Sequence, residues 1–155
     1  MPLSFKVAVD ACRDLANNCQ VGLGALPQSH RQMVSVNKTT NITGSVNIDE
    51  ILQPKYPNAP RWDYGIGFRY RSSPVSSNDQ VCWVEIHPAA SRKNIKEILA
   101  KKNFHCTWLK ENAPELALLK GEFVWIAIGS VGIPNHHRRE LAANNVKLKG
   151  QNHQL

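Results

Sequence analysis

The chain has 155 residues, 42% hydrophobic and 20% charged, a composition that fits one folded domain and excludes disordered and fibrous classes. Nineteen basic side chains against twelve acidic ones leave a net charge of +7 and a pI of about 9.4, which favours polyanionic partners through counterion release. The longest apolar run, Phe123 to Ile128, is too short to cross a bilayer. The opening Met1-Pro2-Leu3-Ser4-Phe5-Lys6 lacks the basic and apolar regions of a secretory signal, so no membrane partner and a cytoplasmic location are expected.

Phe5, Val9, Cys12, Leu15 (or Ala16) and Cys19 recur at helical spacing and predict a helix from Leu3 to Cys19, broken by the Gly22-to-Pro27 segment. Met33–Val36 and Ser45–Ile48 are short strand candidates, with Asn37 to Gly44 polar and turn-like between them. Asp49–Leu52 can begin one helical turn before Pro54, Pro57 and Pro60 impose a loop.

The clearest strand is Arg61 to Arg71. Trp62, Tyr64, Ile66, Phe68 and Tyr70 alternate with Arg61, Asp63, Gly65, Gly67, Arg69 and Arg71. One face is aromatic; the other carries charge and two glycines that admit a close approach to the backbone. The serine-rich loop Ser72 to Gln80 connects it to an antiparallel strand from Val81 to His87, ended by Pro88. Asn94 to Lys110 is an amphipathic helix, with Ile95, Ile98, Leu99, Cys106 and Leu109 on one side and Ser91 placed to cap it. Glu111 to Lys120 reads as a turn or short helical piece. Phe123–Ile128 is apolar on both parities, as a strand covered on both faces must be. Arg138 to Asn144 suggests a last short helix, and Lys147 to Leu155 a loose polar tail. The expected architecture is a single α/β domain over residues 1–150, a central mixed sheet flanked by helices, with 151–155 as a tail.

Cys12, Cys19, Cys82 and Cys106 form no CxxC pair, which argues against a cysteine zinc site and for small buried hydrophobes. Chemistry concentrates instead on Asp63, Glu85 and His87. Glu85 and His87, two apart in a strand, share a face. If the two strands pair, Asp63 and Glu85 converge, and adjacent carboxylates repel unless a cation joins them or one keeps its proton. Mg²⁺ or Mn²⁺ suits two hard oxygens, and imidazole can add a ligand or a general base. The simpler structural account pairs Glu85 with Arg69 or Arg71 across the hairpin and leaves His87 as a strand-end residue.

The order of helix, strand pair bearing Asp63 and then Glu85-Ile86-His87, helix and further strand resembles the core of the PD-(D/E)xK, or restriction-endonuclease-like, nuclease superfamily. Gly44-to-Asp49, Arg61-to-Tyr64 and Val84-to-Pro88 are also similar to small bacterial proteins of that type. The resemblance implies a metal-dependent nuclease in which Asp63 and Glu85 bind Mg²⁺ or Mn²⁺, and His87 stands where the family has its lysine. Asp49 or Glu50 would be a further carboxylate, and Arg69, Arg71, Arg92, Lys93 and Lys96 would contact nucleic acid. The alternative is a catalytically inactive protein of that fold, binding nucleic acid or protein. A hydrolase using Cys82 or Cys106 with a histidine is disfavoured, because Cys82 and His87 point to opposite faces and Cys106 falls on an apolar helical face.

Overall fold

The structure, a computed structural model, describes residues 2–155. Ser4 opens the first helix, α1 (Phe5–Ala11), by accepting from the Val7 amide at 3.2 Å. The helix ends well short of Cys19. Asn17 adopts φ +68° and donates its amide to Asp10 at 3.1 Å, turning the chain back so that Leu15 is buried by turns rather than by helix. The short helix α2 (Gln28–Arg31) and strand β1 (Val34–Ser35) follow.

Strand β2 spans Thr40–Asn47, so much of the stretch read as turn is extended. A bulge between Ile42 and Gly44 absorbs the extra residue, and Gly44 takes φ +154°, with Cys19 packed so close that a Cβ would lie 2.6 Å from its Sγ. Asn47 caps helix α3 (Ile48–Leu52) by accepting from the Glu50 amide at 3.0 Å. Strands β3 (Tyr64–Tyr70) and β4 (Gln80–Pro88) are antiparallel, with Tyr64 opposite Val84.

Helix α4 (Arg92–Asn112) starts where Asn94 Oδ1 accepts from the amides of Ala90 and Ser91, at 3.0 and 3.2 Å. A short helix α5 (Pro114–Leu118) leads into strand β5 (Lys120–Ile128), parallel to β4. Helix α6 (Asn135–Ala143) then returns the chain to strand β6 (Val146–Lys149), parallel to β5. The result is a mixed five-stranded sheet in the order β2-β3-β4-β5-β6, with helices packed against it.

Parity divides the core. Val81, Trp83 and Trp125 face α1, α4 and α5, whereas Tyr64, Ile66, Cys82, Val84, Val124 and Ile126 face the segment around Leu26 and Val34. The two glycines of β3 do admit a close approach, but from this chain itself. A Cβ on Gly65 would lie 2.6 Å from the Trp83 ring, and one on Gly67 would lie 2.1 Å from the Phe5 ring. Gly67→Ala is therefore expected to destabilise the fold by about 2 kcal/mol through overpacking. A urea midpoint unchanged from wild type would show that Phe5 has room to move aside.

The tail is ordered. Strand β7 (His153–Gln154) pairs in parallel with β1, and Leu155 is buried beside Leu26 and Val34. The Leu155 amide donates to Ser35 O at 2.8 Å, and Leu155 O accepts from Asn37 N at 2.8 Å. Its polar composition conceals one apolar anchor and a set of backbone bonds. The cysteines divide likewise: Cys12 and Cys82 are buried and Cys19 partly so, but Cys106 is exposed, and all four are free. Among the described residues no helix is long and apolar enough to cross a membrane.

Candidate acidic site at the end of the central strands

Asp63 precedes β3, and its backbone is fixed before its side chain is used. Its carbonyl accepts from the amides of Ile48 and Asp49 at 2.9 and 3.2 Å. Arg61 secures the same corner: Nε binds Asp49 Oδ1 at 2.9 Å, and Nη1 donates to Tyr56 O at 2.7 Å and to Pro57 O at 3.1 Å. The Asp63 carboxylate then accepts from the Ile86 amide at 3.0 Å, which holds it against β4 beside Glu85.

Glu85 has no exposed surface. Burial first, and then the Asp63 charge, push its carboxyl well above the usual range, while Lys101 pulls it down. The Lys101 ammonium binds Glu85 Oε1, and Glu85 Oε2 is buried with no hydrogen-bond partner. Burial works to lower the Lys101 pKa, but the attraction of Glu85, then Asp63 and Asp49, leaves it raised. The same negative field reaches Tyr64, whose phenol is pushed up by burial and then by Asp63, Asp49, Glu85 and Glu50. Four carboxylates therefore act on one end of the sheet.

Three matched contacts join β4 to α4. His87 Nε2 meets Glu97 Oε2 at 2.5 Å, Glu85 binds Lys101, and the Trp83 ring packs edge-on to His105 with centroids 4.3 Å apart. The match follows from geometry: two strand residues rise about 6.7 Å and four helical residues about 6.0 Å, so i,i+2 on the strand keeps step with i,i+4 on an antiparallel helix. Sequence reasoning missed Glu97 and Lys101. The signal was the polar stripe Glu97, Lys101, His105 along an otherwise apolar side of α4, facing the β4 stripe His87, Glu85, Trp83.

Glu85 thus pairs with neither Arg69 nor Arg71, and His87 is engaged by Glu97 rather than by either carboxylate. Arg69 is drawn into its own loop, binding Asp79 at 3.4 Å and Pro74 O at 2.9 Å. Arg71 is exposed just beyond β3, at the opposite end of the strand from Asp63. Arg92, Lys93 and Lys96 are exposed on the first turns of α4, at the Asp63 and Glu85 end of the sheet. The five basic residues therefore divide between two ends and do not form one surface. Glu50 is bound by Asn47 Nδ2 at 3.1 Å, so the further carboxylates Asp49 and Glu50 both have local partners.

Cys82 lies on the sheet face opposite His87, as its parity requires, and burial pushes its thiol well up. Cys106 is exposed as a residue, but desolvation of its thiol raises it as well. Neither cysteine is poised as a thiolate nucleophile.

The folded chain is a single-domain α/β protein with a mixed five-stranded sheet and a buried acid–lysine cluster at one end of it. Comparison with protein-family models, with curated proteins and with solved structures gave no match.

Proposed function

We propose that the chain is a metal-dependent phosphodiesterase acting on nucleic acid, with Asp63, Glu85 and Lys101 as its site. The observation that carries this reading is the unpartnered, buried Glu85 Oε2 beside the Asp63 carboxylate. Two hard oxygens with one free acceptor fit Mg²⁺ or Mn²⁺, which would be held by Asp63 and Glu85. Such an ion supplies charge neutralisation at the phosphate and acidifies a bound water. The resemblance to the restriction-endonuclease-like core supports Asp63 and Glu85 as the metal-binding pair.

Within this reading the role expected of His87 passes to Lys101. A lysine reaching the acidic pair from α4 supplies the cation that imidazole, tied to Glu97, does not. Its ammonium donates a hydrogen bond to the attacking water or to a non-bridging phosphate oxygen, offsetting charge as the pentacovalent state forms. The water oxygen bonds to phosphorus, the ester P–O bond breaks, and the water's proton passes through solvent to the departing alkoxide. Arg92, Lys93 and Lys96 hold flanking phosphates, consistent with the net charge.

The test is cleavage of labelled single- and double-stranded DNA and RNA by purified protein with Mg²⁺ or Mn²⁺. Asp63→Asn, Glu85→Gln and Lys101→Met are each expected to lower the rate by about a hundredfold or more. Cleavage that survives all three substitutions removes the site. The complete burial of Glu85 beneath Lys101 favours a second reading, a non-catalytic binding module of the same fold. An inert wild type that binds nucleic acid with a steep salt dependence, weakened by substitutions at Arg92, Lys93 and Lys96, would select it.

A further inference from the structure

On the other face of the sheet, three residues distant in sequence bring different donor atoms together. Cys82 on β4 and Glu122 on β5 are direct neighbours in the parallel ladder. His153, from the C-terminal β7, leans over both. The Cys82 thiol, the Glu122 carboxylate and a His153 ring nitrogen all lie within 4.8 Å of one another. His153 Nε2 stands 3.7 Å from Glu122 Oε1, too far for a hydrogen bond. The His153 side chain is 9% exposed, and its Nε2 is buried with no hydrogen-bond partner. Leaving a buried ring nitrogen without a hydrogen bond costs free energy, which the Glu122 carboxylate 3.7 Å away offsets only through its charge.

We propose that Cys82, Glu122 and His153 form a binding site for a divalent cation of the zinc type. The donor set is one soft sulfur, one imidazole and one carboxylate, which suits Zn²⁺ and disfavours Mg²⁺ or Ca²⁺, ions that take oxygen. Nitrogen and oxygen donors at about 2.0–2.2 Å from zinc lie about 3.3–3.5 Å apart at tetrahedral angles, and the 3.7 Å between His153 and Glu122 is within a few tenths of an ångström of that spacing. Three protein ligands leave a fourth position for water. Glu122 is one-third exposed and marks the route of entry. The Lys147 ammonium, now 2.7 Å from Glu122, is itself more than half exposed and free to swing into solvent when the ion arrives. Binding releases the Cys82 proton, forms three protein–metal bonds and changes no oxidation state. The ion would tie the β1–β7 pair to the central sheet, so it would act as a structural clamp on the C-terminus, independent of Asp63 and Glu85.

The test uses untagged protein of residues 1–155 titrated with Co²⁺ and then Zn²⁺. One equivalent of Co²⁺ should produce a thiolate-to-cobalt charge-transfer band that Zn²⁺ abolishes, and Zn²⁺ should raise the melting temperature. Cys82→Ala should eliminate the band. His153→Ala should weaken Co²⁺ binding by about tenfold to a hundredfold and remove the zinc-dependent rise in melting temperature. Asp63→Asn should leave both signals intact, separating this site from the acidic one. Absence of the charge-transfer band in wild-type protein, or binding unaffected by His153→Ala, would overturn the proposal.

Discussion

Lys101→Met is expected to destabilise the fold by about 3 kcal/mol at neutral pH, because it strands a buried carboxylate beside a second one. Glu85 has no exposed surface, and in the wild type Lys101 is the cation bound to it. Without that cation Glu85 can fold only by holding its proton. The sign of the pH dependence follows. A carboxyl whose folded pKa stands above its unfolded value contributes most below the unfolded value of about 4.5, and that contribution fades as pH rises through the folded pKa. Burial and Asp63 already push Glu85 in that direction with Lys101 present, so the variant's deficit should grow from about pH 4.5 upward. Urea denaturation at a series of pH values reads this directly. Glu85→Gln combined with Lys101→Met should recover much of the loss, since it removes the charge that needed a partner. A Lys101→Met protein equal in stability to wild type from pH 5 to pH 8 would mean that Glu85 reaches water or another cation.

The second large effect belongs to His105, one helical turn further along α4. Its ring sits among Trp83, Trp108, Phe123 and Trp62, with centroids 4.3, 5.7, 5.9 and 6.5 Å away. Its Nε2 finds no partner, and burial alone pushes the imidazole down to about 3. Between pH 6.5 and about 3 the unfolded chain therefore takes up a proton that the folded one refuses. As pH falls across that window, stability drops by about 1.4 kcal/mol per unit, approaching about 5 kcal/mol in all. His105→Phe should keep the aromatic packing and remove this part of the acid sensitivity. His105→Met, more adaptable in shape, guards against a phenylalanine that fits poorly. The comparison to make is the slope of unfolding free energy against pH. Parallel slopes for wild type and both variants would show that His105 is hydrated or hydrogen-bonded in solution.

These two residues and Glu97 explain how a helix comes to serve a strand. The β4 residues were readable as a stripe because strand parity is local: Trp83, Glu85 and His87 share a face whatever lies opposite. The partner stripe on α4 has the same local regularity, yet nothing in the intervening residues states which helical turn meets which strand residue. That depends on the length of the connection after Pro88 and on how Ile95 and Ile98 seat against the sheet. Only then does Lys101, rather than Arg69 or Arg71, reach Glu85.

Elements with strong short-range periodicity were legible from composition and spacing: the β3–β4 hairpin, α4, and the doubly covered β5, whose apolar run points Val124 and Ile126 one way and Trp125 and Ala127 the other. The convergence of Asp63 and Glu85 was legible from the same parity, although Asp63 lies just before β3 and is held there by the Ile86 amide. What depended on distant contacts was not legible. The first helix ends at Ala11 because a later asparagine folds back on Asp10. Thr40–Gly44 becomes strand because β3 lies alongside it, and β6 forms only against β5. The polar tail is held because Leu155 packs in the buried cluster with Leu26 and Val34 and its backbone finds β1. Local sequence sets which face a side chain takes. Burial at Glu85, His105 and His153 is set by residues far along the chain, and at Glu85 only the folded structure supplies the cation, Lys101, that makes burial of a charge tolerable.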